Sequence, residues 1–88
     1  MNIDEGATQV VIAVPPGRVV KKVEDNGVLG QDILEAFDKY LGSSGIKVGG
    51  ADATSSNIGN YSTKYNVYVY NPSTPLGSNT YTIILGDE

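Results

Sequence analysis

Apolar positions along the chain follow two different periods. Thr8–Val14 (TQVVIAV) is β-branched and apolar on both parities, the pattern of a central strand covered on both faces. Pro15-Pro16-Gly17 then predicts a type II turn, with φ preset at Pro16 and the positive φ supplied by Gly17. Arg18–Val23 (RVVKKV) reads as a second strand whose lysines suit a sheet edge. After the break at Asp25-Asn26-Gly27 the period changes. From Val28 to Leu41, Leu29, Ile33, Leu34, Ala36, Phe37, Tyr40 and Leu41 share one arc at about 100° per residue, and Gln31, Asp32, Glu35, Asp38 and Lys39 share the other. That spacing predicts an amphipathic helix, with Glu35 and Lys39 as an i,i+4 pair and Gly42 as its stop.

Period two returns downstream. Ile46–Val48 is a short candidate strand, and Gly49–Asn60 is a polar connection without periodicity. Tyr61–Asn71 is a long strand with Tyr65, Val67 and Val69 on one parity and Asn66, Tyr68 and Tyr70 on the other. Asn71–Asn79 is a loop punctuated by proline and glycine, and Thr80–Leu85 is the last strand. The expected fold is therefore α+β: a single helix on a four- to five-stranded, mainly antiparallel or mixed sheet, in ββαβββ order. At the level of topology this resembles a β-grasp arrangement. The 88 residues form one expected domain, 1–88.

Composition narrows the function classes. The chain has no cysteine and no histidine, so disulfides, thiolate sites and the commonest general base are excluded. Gly42-Ser43-Ser44-Gly45 lacks the spacing of a nucleophile elbow, and Asp32, Glu35 and Asp38 sit on the expected solvated face. Neither Glu24-Asp25-Asn26-Gly27 nor Gly49-Gly50-Ala51-Asp52 completes a calcium loop. Asn60-Tyr61-Ser62 matches the glycosylation sequon as a chance triplet. No enzyme, cofactor or metal is expected. A net charge of −4, with Arg18, Lys21 and Lys22 as the one basic cluster, argues against nucleic acid. No apolar run is long enough for a membrane helix and no signal peptide is recognisable, so a cytoplasmic or virion-associated location is expected.

Charge is unevenly placed. From Ala53 to Gly86 the only charged residue is Lys64, and five of the six tyrosines lie there: Tyr61, Tyr65, Tyr68, Tyr70 and Tyr81. Tyrosine-rich, ion-poor surface is the composition of an interface core. One helix covers one face of a sheet, which leaves the other face and its tyrosines for a protein partner. The expected role is a non-enzymatic structural or assembly protein, an oligomer or a small subunit of a complex such as a virion accessory component. The alternatives are a monomeric binding module or enzyme inhibitor, and, less favoured, a carbohydrate binder stacking sugars on Tyr68, Tyr70 or Tyr81. On this reading Tyr68→Lys disrupts association and leaves the fold intact.

Overall fold

A computed structural model describes residues 1–41, 46–48 and 65–87. The described residues form eight strands: β1 (Asn2–Ile3), β2 (Val10–Val14), β3 (Arg18–Asp25), β4 (Gln31–Asp32), β5 (Asp38–Leu41), β6 (Ile46–Val48), β7 (Asn66–Tyr70) and β8 (Asn79–Asp87). They make two antiparallel sheets, ordered β1-β8-β3-β4 and β2-β7-β5-β6. Among the described residues the only helical pieces are single 3-10 turns at Asn26–Val28 and Leu34–Ala36.

The expected helix on a sheet, and with it the β-grasp resemblance, is thus overturned: the chain is nearly all β. The reason lies in where Phe37 and Tyr40 go. Phe37 packs in the cluster between the sheets, whereas Tyr40 packs with Val67 and Val69 in a separate cluster. Residues three apart share a face on a helix but oppose each other on a strand. Further upstream, Leu29 and Gly30 both take positive φ (48° and 77°), which no α-helix accepts. Leu29, expected in the apolar arc, is fully exposed. Packing against β7 outweighed a helical preference that is marginal at fourteen residues.

Between the sheets lie Ile3, Val20, Val23 and Tyr81 from the first and Val10, Ile12, Val14 and Tyr68 from the second, with Phe37. The Val67–Val69–Tyr40 cluster, with Val11 packed against it, uses the other parity of β7. Both faces of β7 are consequently buried, and the parity read from the sequence for Asn66–Tyr70 holds. β2, expected to be central, pairs among the described residues with β7 alone, with Ala13 exposed. The turn at Pro15–Arg18 forms as expected: Arg18 N donates to Pro15 O at 3.1 Å, and Gly17 has φ 88°. The expected Gly42 stop, the Gly42–Gly45 segment, the Gly49–Asn60 connection, the Asn60 sequon and the start of the Tyr61 strand lie outside the described residues.

Candidate interaction surface

The five tyrosines do not form one surface. Tyr68 and Tyr81, each 2% exposed, are packed inside the chain. Tyr70 is half-buried, its ring centroid 5.4 Å from that of Phe37 at a tilt of 40°. Tyr65 is 40% exposed, and Tyr61 lies outside the described residues. The second sheet supplies the cover that a lone helix could not, so Tyr68 and Tyr81 belong to the core and not to a surface. A lysine at position 68 is now expected to break the fold, because it would bury a charge without a partner.

Tyr68 also does a specific job. Its hydroxyl accepts the Val20 N–H at 3.0 Å, across the space between the sheets. Nearby, Asn66 Nδ2 donates to Arg18 O at 2.7 Å. Burial, the charge of Asp25 and the neighbouring Tyr70 together push the Tyr81 hydroxyl above the ordinary tyrosine pKa. The Tyr68 hydroxyl and the Asn66 amide tie one sheet to the other.

The surface feature that composition did not single out is an edge. β8 pairs with β3 from Tyr81 to Asp87, with an irregularity between Val20 and Lys22. On the side of β3 away from β8, polar groups have partners: Val20 N–H on Tyr68, Val23 N–H on Asp32 Oδ1 at 3.2 Å, Val23 O from Ile33 N, and Asp25 O from Gly30 N. In an antiparallel ladder, opposed residues whose groups point away from each other alternate with residues that bond. The register partners of these three residues, Leu85, Ile83 and Tyr81, therefore direct their own N–H and C=O groups outward, away from β3. Tyr81 meets Met1 there, exchanging bonds of 2.8 and 2.9 Å. Beyond it, among the described residues, no strand pairs with the outer edge of β8 from Thr82 to Asp87.

From Thr82 to Gly86 that edge carries no charge and no proline, and no strand among the described residues pairs with it. Charged residues, proline or a covering element normally blunt an exposed strand; the lysines expected at a sheet edge lie instead on β3, which sits between β8 and β4. Thr80–Gly86 has no charge and no proline, and Ile84 and Leu85 are 38% and 40% exposed on opposite faces. The signal was present in the sequence as seven uncharged residues, but a central strand reads the same way. Only the sheet order shows that β1 takes the outer side of this one at Asn79 and Thr80 and that no other strand among the described residues lies there.

A second feature is a shallow polar cleft of about 450 Å³ lined by residues that include Asn2, Asp4, Asn26, Ser78 and Asn79. Beneath it Asp25 Oδ1 accepts from Gly27 N at 2.8 Å and from Asn79 Nδ2 at 2.7 Å, so much of its polarity is spent internally. Among the described residues no aromatic ring lines it for sugar stacking. Among the described residues no group of three acidic, cysteine or histidine side chains gathers as a metal site. Compared with protein families, curated proteins and solved structures, the chain matches none.

Proposed function

We propose that the chain is a non-enzymatic structural module that docks into a larger protein assembly by strand addition along the outer edge of β8. The observation that carries this reading is the run of outward-directed backbone at Ile83, Leu85 and Asp87 (the last opposite Arg18, whose own N–H and C=O go to Pro15 O and Asn66 Nδ2), with which no strand among the described residues pairs, flanked by the exposed side chains of Ile84 and Leu85. In strand addition, main-chain hydrogen bonds supply affinity and alternate side chains supply specificity. The reading keeps the assembly role expected from composition and moves its surface from the tyrosines to the sheet edge. A monomeric inhibitor presenting the same edge is the second reading, and native mass spectrometry separates the two by a persistent or a transient complex.

Amide hydrogen exchange on protein isolated from its natural source tests the docking itself. Ile84 directs its N–H towards β3 and should exchange slowly in every state, which makes it an internal control. Ile83 and Leu85 should exchange slowly in the complex. Fast exchange at both positions in the complex would sink the proposal.

A further inference from the structure

We propose that the strand docking on β8 is β8 of a second copy, antiparallel about a two-fold axis through Leu85; this rests on the docking reading above. An isologous contact needs a surface complementary to itself, and an antiparallel strand pair satisfies that condition when its register is right. Three observations select the register. The outward groups belong to Ile83, Leu85 and Asp87, so the hydrogen-bonded pairs must be drawn from these residues. An axis at Leu85 matches Leu85 to Leu85 and Ile83 to Asp87, and uses every one of them.

The second observation is Met1. It occupies the outward side of Tyr81, so any register that places Asp87 against Tyr81 of the other copy drives one chain into the first residue of the other. An axis at Ile84 does this, and the axis at Leu85 does not. The third is the pattern of side chains. On one face the two half-exposed Leu85 side chains cover each other. On the other face Ile84 falls opposite Gly86, which has no side chain of its own. A methyl on Gly86 would stand 2.7 Å from Cγ of Lys21, so the aliphatic stem of that lysine already lies beside the position where Ile84 would rest. No like charges oppose each other, because each Asp87 meets Ile83 and not the other Asp87. The two β1-β8-β3-β4 sheets would join into one continuous sheet.

Purified chain provides the test. Light scattering at concentrations on the order of hundreds of micromolar should give about twice the single-chain mass, as expected for a modest isologous contact. In that species Ile83 and Leu85 amides should join Ile84 in slow exchange, and on dilution they alone should become fast. Leu85→Lys and Leu85→Glu, each with its own copy across the axis, should each run as single chains. Mixed together they should recover the two-chain species, a rescue that only this register produces. Wild-type exchange keeps the test decisive should either variant fail to fold. A single chain with fast Ile83 and Leu85 amides at the highest concentration overturns the proposal, as does a mixture that fails to recombine. If those amides are fast in isolation yet slow in the natural complex, another chain's strand occupies the edge: self-pairing falls and docking stands. Fast exchange in both settings removes docking as well.

Discussion

Tyr68 shows how one hydroxyl holds two sheets in register. Without it the Val20 N–H, buried between the sheets, would have no acceptor. Tyr68→Phe keeps the ring and removes the acceptor, and it should cost about 1–3 kcal/mol in urea unfolding, the range for an orphaned buried group. Asp32 offers a second test at this scale. Its carboxylate accepts backbone N–H groups from Leu34 and Val23, which hold its pKa below the ordinary aspartate value of 3.8, with Lys22 adding a smaller effect. A depressed carboxylate stabilises the fold above the unfolded-state pKa, and that stability is lost as pH falls through the lower folded-state value. Wild-type protein should therefore lose thermal midpoint as pH is lowered from about 5 to about 2, and Asp32→Asn should lose less. At the alkaline end the sign reverses. Tyr81 favours its neutral form in the fold, so stability should fall as pH rises past the ordinary tyrosine value of 10.0.

At the scale of elements, the segment Val28–Leu41 carries a helical pattern and folds as a turn, a two-residue strand, a 3-10 turn and a strand. Gly30 discriminates between the two outcomes by sign. In a helix, Gly30→Ala would stabilise the protein by about 1 kcal/mol. At its observed φ of 77°, the same substitution should destabilise by about 1–2 kcal/mol, because a Cβ there meets the following carbonyl oxygen. Thermal unfolding of the variant reads the sign directly. Gly27 is constrained differently: an added Cβ would stand 3.1 Å from Asn79 Nδ2, against the polar link from Asp25 to the start of β8. The helical arc was legible because periodicity is local. Its failure was not, because the choice between Phe37 and Tyr40 on one side or on two depends on where β7 lies.

For the whole molecule, the decisive asymmetry is between the two edges of the β3–β8 ribbon. The β3 side is closed by Tyr68, Asp32 and the chain around Ile33, whereas no strand among the described residues pairs with the β8 side from Thr82 onward. An uncovered neutral edge is an aggregation hazard unless another strand takes it. Ile84→Lys places a charge on that edge while leaving the sheet interior untouched. The fold should persist by circular dichroism, and both self-association and heat-induced aggregation should decrease. A variant that loses its fold would instead put Ile84 among the residues that hold the ribbon together. The exposed pair of Arg18 Nε and Asp87 Oδ1, at 3.5 Å, adds little to stability at the end of this ribbon.

Local chemistry settled what local chemistry can. Proline and glycine at 15–17 fixed the turn, and alternation fixed the two faces of Asn66–Tyr70. The uncharged stretch from Thr80 to Gly86 was visible as composition. Which strands became neighbours was decided only by long-range pairing. β8 lies between β1 and β3, and β5 reaches β7 across many intervening residues. That pairing turned a helical pattern into strands and enclosed Tyr68 and Tyr81. Among the described residues it also left the outer side of β8 beyond Tyr81 without a strand, because hydrogen-bond partners distant in sequence are chosen by the packing of both sheets together and leave no local periodicity to read.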